Sequence, residues 1–212
     1  MADGRGEAGS GKAASGRADS GQAAGLLRVR RFPELTVATP RLHVRALVAD
    51  DAADVAGLFA DRQAQRWLAS PAGCAGLPEA LAWCTELRQE RRDSGAGDHY
   101  AVVRREDDGL VGCAWTKRTD WAALATEVCF AVCEPARGFG FAAEALDALS
   151  VALILEHGFQ RIELRIAPGN TAARRVGEKA GFVYEGLLRN AGHLHSGRVD
   201  LELWSLVAAD LR

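Results

Sequence analysis

The chain has 212 residues, 48% of them hydrophobic and 25% charged, with a formal net charge of −2, enough for one well-packed domain and short for two. So balanced a charge removes any general electrostatic reason to bind nucleic acid or an acidic membrane surface. No window approaches the roughly 18 uninterrupted apolar residues of a spanning helix, and the first residues hold no signal-peptide core, so a soluble cytoplasmic protein is expected, without nucleic-acid or membrane partners.

Residues 1–24, rich in Gly, Ala and Ser, cannot bury enough apolar surface to offset their ordering entropy and read as a disordered tail, leaving residues 25–212 as a single domain. Arg41 to Leu47 alternates with period two and predicts a strand. Asp50 and Asp51 offer N-caps for a short helix carrying Val55, Leu58 and Phe59. Leu77 to Arg92 has helical spacing at Leu77, Leu81, Cys84 and Leu87, and the breakers Ser94-Gly95-Ala96-Gly97 follow it. Two strands, His99 to Arg104 and Leu110 to Lys117, are joined by the hairpin turn Asp107-Asp108-Gly109.

Thr126 to Cys133 alternates Val128, Phe130 and Val132 against Glu127, Cys129, Ala131 and Cys133. Both sets are largely apolar, which suits a central strand covered on both faces; Glu127 is the exception. Ala142 to His157 is helical, apolar over most of its circumference, and closed by Gly158 in the left-handed C′ position. Arg161 to Ala167 is a further strand with Ile162, Leu164 and Ile166 inward. A helix follows from Asn170 to Ala180, ended by Gly181, and Phe182 to Asn190 and Arg198 to Val207 are the last two strands. The class is α+β, with strand, glycine turn and buried helix at its centre.

Five cysteines, Cys74, Cys84, Cys113, Cys129 and Cys133, form an odd set without a CxxC pair, which favours thiols in a reducing compartment. Cys129 and Cys133 on one strand stand roughly 13 Å apart at about 3.3 Å per residue, too far to bridge or to share a metal. His193-Leu194-His195 offers two imidazoles with no third ligand at a recognisable spacing, so no metal site is expected. The pair either lines an acceptor pocket or is simply exposed.

The turn Pro135-Ala136-Arg137-Gly138-Phe139-Gly140-Phe141-Ala142 joins the central strand to the buried helix. Small residues let the backbone approach a ligand, and the N–H groups at a helix start attract anions such as a diphosphate. Taken alone, the same glycines serve equally as a packing turn. A Rossmann site is disfavoured, because the GxGxxG spacing is incomplete and no acidic residue ends a second strand about 20 residues on.

Further along stand Asn170 and Glu178-Lys179-x-Gly181-Phe182. Together with Arg137-x-x-Gly140-x-Ala142, Ala143-Glu144-Ala145, Thr39-Pro40-Arg41-Leu42 and Asp200-x-x-x-Trp204-Ser205-Leu206, they make the chain resemble the GNAT superfamily of acetyl-CoA-dependent N-acetyltransferases, within it the RimJ/RimL-like branch. The likeness spans about residues 39–206. It implies a mostly antiparallel six- to seven-stranded sheet flanked by helices, with two central strands splayed apart to admit pantetheine. By the same resemblance Arg137 and the N–H groups of Gly138, Phe139, Gly140, Phe141 and Ala142 cradle the CoA diphosphate. Val132 and its neighbours pair with the pantetheine amides, and Asn170, otherwise a plain N-cap, contacts the CoA arm. Acetyl-CoA is then the co-substrate and an amine, on a protein N-terminus or a small molecule, the acceptor; relatives are often dimers, so a homodimer is an admissible assembly.

In the family the amine attacks the thioester directly, with a carboxylate or water taking its proton. An α-amine has a pKa near 7.7–8.0 and a lysine amine near 10.4, so a base is useful. Glu127 is the candidate base, its alternative being an exposed strand-end glutamate. Glu144 competes, although its place in the first helical turn already has a structural reason. Many relatives carry Ser three residues after the Asn to protonate the thiolate; here Ala173 leaves that role vacant. Tyr184 or water could fill it, unless Tyr184 is a core tyrosine. Trp67, Trp115 and Trp121 either shape the amine site or pack the core. A non-catalytic acyl-CoA-binding module is the alternative function that Ala173 permits.

Overall fold

The structure is a computed structural model that describes residue 1, residues 30–68 and residues 76–211. The Gly/Ala/Ser-rich tail after Met1, and Cys74, lie outside the described residues. Strands β1 (Val37–Ala38), β2 (Leu42–Ala46), β3 (His99–Arg104), β4 (Leu110–Asp120), β5 (Ala125–Val132), β6 (Arg161–Ile166), β7 (Val183–Leu194) and β8 (Gly197–Leu206) form one sheet in the order β1-β2-β3-β4-β5-β6-β8-β7. All neighbours are antiparallel except β5 and β6. The mixed α+β class is as expected. The strand total exceeds the expected six or seven, with the two-residue β1 paired onto β2 through Val37 and Val44.

Helices α1 (Ala52–Ala60), α2 (Arg62–Trp67), α3 (Leu77–Cys84) and α4 (Glu86–Asp93) precede β3, α5 (Phe141–Leu155) joins β5 to β6, and α6 (Thr171–Lys179) joins β6 to β7. Parallel neighbours need a crossover connection, which is why the buried helix α5 stands between β5 and β6. One face of the sheet packs on α5 and α6, with Val128, Leu146, Leu149, Leu153, Ile162 and Leu164 in a common cluster. The other face packs on α1 and α3 through Val55, Leu58, Phe59, Trp83, Trp115 and Ala131. That second cluster draws its strand residues from β3, β4 and β5 alone. Among the described residues, the β6-β8-β7 half of the sheet therefore carries no helix on this face.

Three local expectations are corrected. The helix expected over residues 77–92 breaks at Thr85 (φ −118°, ψ −90°), whose hydroxyl donates to the Leu81 carbonyl at 2.8 Å, a side-chain bond that competes with the helical ladder. Leu77, Leu81 and Leu87 consequently lie exposed, while Ala80, Trp83 and Cys84 are buried. Asp51 does not cap α1 with its side chain. Its carboxylate instead takes a bidentate bond from Arg45, both contacts at 2.8 Å, and accepts the Val48 N–H at 2.9 Å. Finally, β7 runs on to Leu194, so that His195 and Ser196 alone form the hairpin turn.

His99 opens β3 fully buried, its ring stacked on Trp83 with centroids 4.1 Å apart and Nδ1 within 2.9 Å of the Trp83 carbonyl. Burial pushes its pKa down to about 4. Between pH 6.5 and 4 the unfolded chain binds a proton here that the folded chain refuses, so stability falls as pH drops through that window, by up to about 3 kcal/mol. The neighbouring buried Asp98, shifted up by its own burial, acts in the opposite sense. Chemical denaturation of wild type and His99→Asn across pH 4–7 separates the two, and the slope is expected to flatten in the variant; an unchanged slope would rule His99 out as its source.

Candidate active site

β5 and β6 pair only through Ala125↔Arg161, Thr126↔Ile162 and Glu127↔Glu163. Beyond that rung β5 continues to Val132 and β6 to Ile166 without mutual pairing. The central strands therefore part, leaving a gap with Glu127 at its closed end. The Cys133 N–H bonds the Val111 carbonyl on β4 at 2.9 Å, and antiparallel alternation then turns the N–H and C=O of Val132, Phe130 and Val128 toward the gap. The Val132 carbonyl is already taken by Arg137 Nε at 3.2 Å, so its N–H is the group left open.

At its open end the gap meets the glycine turn. Gly138 and Gly140 adopt φ of +86° and +82°, a left-handed region that residues with a Cβ seldom enter. Gly140 is the N-cap of α5 and brings no side chain to cap it. No bond from the N–H groups of Gly138 to Ala142 to a protein acceptor occurs among the described residues. A side chain on Gly138 would meet nothing within 4 Å. The turn is thus an open cradle of N–H donors at a helix start, chemistry suited to an anion. Beside it, Phe139 stands exposed and stacked on Phe141, their centroids 5.8 Å apart.

Glu144 braces this cradle. Its carboxylate accepts from Thr39 Oγ1 at 2.5 Å and from Arg41 Nε at 2.7 Å, while Arg41 Nη1 reaches the Phe139 carbonyl at 3.0 Å. Hydrogen bonds from Thr39 and Arg41 hold its carboxyl below the usual range against the opposing effect of its partial burial. The Thr39-Pro40-Arg41 motif is thereby explained: it ties the first strands to the start of α5.

Arg137 points away from the cradle. Its Nη2 pairs with Asp61 at 2.5 Å and its Nη1 with Gln63 at 3.1 Å. At the far end of α2, Trp67 leans on the loop after β6, where a Cβ on Gly169 would come within 3.0 Å of its ring. Helix α2 thus spans the parted ends of β5 and β6, fastened by Arg137 on one side and by Trp67 on the other. Asp61, Gln63 and Trp67 in this role were not legible from sequence, because the contacts join elements more than 70 residues apart. Asp61→Asn is expected to raise amide exchange in α2 while leaving α5 protected, which hydrogen-exchange mass spectrometry reads directly.

Glu127 is buried, 2% exposed, which corrects the alternative of an exposed strand-end glutamate. Its carboxylate meets Lys117 and Arg118 at 3.0 Å each and Arg165 at 3.6 Å. Cys129 Sγ lies 3.6 Å from it, and that thiol is pushed up to about 12, chiefly by burial. Asn170 caps α6, its Oδ1 accepting the Ala173 N–H at 3.1 Å. Tyr184 is not brought to the gap: it lies on β7, half-exposed and edge-on to Trp204, two strands beyond β6. Trp115 packs against Phe59 and Trp83, and Trp121 against Phe32 and Phe159, so only Trp67 of the three stands at the gap. His193 and His195 are exposed at the β7–β8 tip. No group of three or more metal-ligating side chains occurs among the described residues.

Residues 41–183 match the family described as Acetyltransferase (GNAT) domain. The chain belongs to the GNAT acetyltransferase family. This GNAT chain is 23% identical over 179 residues to the uncharacterized N-acetyltransferase p20 of Bacillus licheniformis, covering 81% of the chain and 96% of the relative. Its fold is shared with Mycobacterium smegmatis RimJ in complex with CoA-disulfide (TM-score 0.74, 22% identity, 84% and 89% of the two chains). It is shared also with RimL, a ribosomal L7/L12 α-N-protein acetyltransferase in complex with coenzyme A (TM-score 0.73, 16% identity, 82% and 98%). For a GNAT acetyltransferase the activity supported is acyl transfer from acetyl-CoA. Among the described residues no helix is long and apolar enough to cross a membrane.

Proposed function

We propose that the protein is a cytoplasmic N-acetyltransferase that moves the acetyl group of acetyl-CoA to a primary amine, on a protein N-terminus or a small molecule, by direct attack in a ternary complex. One observation carries this reading: β5 and β6 part at Glu127 and Glu163, and the free edge of β5 runs into the open N–H cradle at Gly138–Ala142. The residues present fit a CoA arm, since the cradle suits its diphosphate and the outward N–H of Val132 suits an amide of pantetheine. Bound acetyl-CoA supplies an electrophilic thioester carbonyl.

The chain's own groups then act at the closed end of the gap. Glu127 lies five residues from Val132 along the strand, about 16 Å at roughly 3.3 Å per residue. There it takes a proton from the incoming ammonium, directly or through a water, so that the neutral amine attacks the thioester carbonyl, while its ion pairs keep the carboxylate oriented. Asn170 has its carbonyl oxygen engaged by the helix start and its amide N–H₂ available to the CoA arm. Ala173 offers no hydroxyl and Tyr184 stands two strands away, so water protonates the departing thiolate, an undemanding step for a thiol of pKa near 8.5.

Thiol release from acetyl-CoA, assayed against N-terminal peptides, polyamines, amino acids and aminoglycosides, tests the reading. Turnover with at least one amine is expected. CoA binding without turnover on any of them would favour the non-catalytic module instead.

A further inference from the structure

The charge around Glu127 is not balanced. On the helix-free face of β6, β7 and β8 and the adjoining ends of β4 and β5, Lys117, Arg118, Arg161 and Arg165 pair with Glu127, Glu163 and Glu185. A fifth cation, Arg91 of α4, donates to the Ala96 and Thr116 carbonyls at 3.3 and 2.9 Å, one rung from Lys117. Arg91 has no carboxylate within 4.0 Å among the described residues. Asp98 also acts on Arg91 but is itself paired with Arg88 and Arg92, so among the described residues cations outnumber carboxylates at the closed end of the gap.

Arg118 is the most available of them. The register of β4 on β5 shifts between Lys117 and Asp120, and Arg118 takes a φ of +53°, a conformation seldom adopted by residues with a Cβ. An unbroken strand would send successive side chains to opposite faces. The bulge lets both Lys117 and Arg118 reach the same buried carboxylate. Arg118 nonetheless keeps its side chain 56% exposed, so one side of its guanidinium faces outward beside the proposed base. Of the other carboxylates, Asp98 is held by Arg88 and Arg92 and Asp120 by the N–H groups of Ala122 and Ala123, while Asp54 and Asp61 stand by Cys133, six residues from Glu127. That is roughly 20 Å, more than two screening lengths of about 8 Å at physiological salt, and Asp61 is already matched by Arg137.

We propose that the acceptor carries a carboxylate a few bonds from its reacting amine, and that Arg118, with Lys117, binds that carboxylate while the amine meets Glu127. This rests on the acetyltransferase reading above. An amine that brings its own negative charge neutralises the excess, whereas a polyamine adds to it.

The test compares kcat/KM, read as thiol release, for two pairs and a control. A peptide beginning Ala-Glu is set against its Ala-Gln isostere, free alanine against alaninamide, and spermidine serves as the cationic control. In at least one pair the carboxylate member is expected to lead by about tenfold, with the lead shrinking severalfold at 0.5 M salt; the pair that shows it tells whether the carboxylate comes from a side chain or from the free α-carboxyl. Arg118→Gln is expected to bring that ratio toward one, with thermal melting confirming that the half-exposed substitution folds. Equal rates within both pairs, spermidine as the fastest acceptor, or a ratio untouched by Arg118→Gln would each overturn the proposal. If a CoA-binding protein acetylates no amine at all, the acetyltransferase reading fails first and this inference falls with it.

Discussion

Gly140→Val is expected to weaken CoA binding by about a hundredfold or more while the domain stays folded. Gly140 sits at φ +82° as the N-cap of α5, and a β-branched residue held there costs roughly 1–3 kcal/mol. The chain relieves that strain by turning the local backbone, which re-aims the N–H groups on either side. Each hydrogen bond to a charged group is worth about 1.5–3 kcal/mol, so two misdirected donors already exceed the roughly 3 kcal/mol of a hundredfold change. The rest of α5 is anchored elsewhere, by fully buried Leu146, Leu149 and Leu153, each contributing roughly 1.5–3 kcal/mol. Titration calorimetry with CoA, paired with a melting curve, checks both halves. Unchanged affinity in a folded variant would remove the turn as the diphosphate cradle.

For Glu127→Gln the expected result is a rate lower by about 10²–10⁴, the usual worth of a positioned base, with the deficit largest at low pH. Without a base only amine that is already neutral can attack, and that fraction falls about tenfold per pH unit below an amine pKa near 7.7–8.0. The variant should fold. Lys117 and Arg118 have side chains 39% and 56% exposed and can be solvated, and Arg165 keeps its 3.1 Å pair with Glu163. A wild-type pH–rate profile in the variant would exclude Glu127 as base and leave the proton to water alone. The same profile separates a proton acceptor from a structural anchor, because loss of an anchor lowers the rate uniformly with pH.

The elements that carry the site were legible because their signals are local. The two glycines of the turn are demanded by backbone conformation, which the residues at those positions determine, and both take the positive φ that their type permits. Alternation through Val128 to Cys133 announced a strand covered on both faces, and its two sets of side chains do enter the two clusters. Asn170 caps its helix as its type and place suggest.

What sequence could not supply was the company each residue keeps. Leu77, Leu81 and Leu87 have helical spacing, yet Trp83 wins the inward position by stacking on His99 and meeting Phe59 edge to face, a competition that exists only once the sheet is in place. Arg137 reads as a ligand for phosphate until Asp61, 76 residues earlier, claims its guanidinium. Tyr184 is five residues past a helix that borders the gap, but the strand order β6-β8-β7 carries it away. Glu127 looked like a lone charge on an apolar strand. Pairing of β5 with β4 and β6, together with a bulge that no composition announces, surrounds it with Lys117, Arg118 and Arg165. Composition, periodicity and the glycine turn, by themselves, determined the kind of scaffold and marked a turn whose backbone suits an anion, since those follow from backbone preferences a few residues long. Only the tertiary structure decided which charges meet at the closed end of the gap, because electrostatics acts through space between strands far apart in the chain.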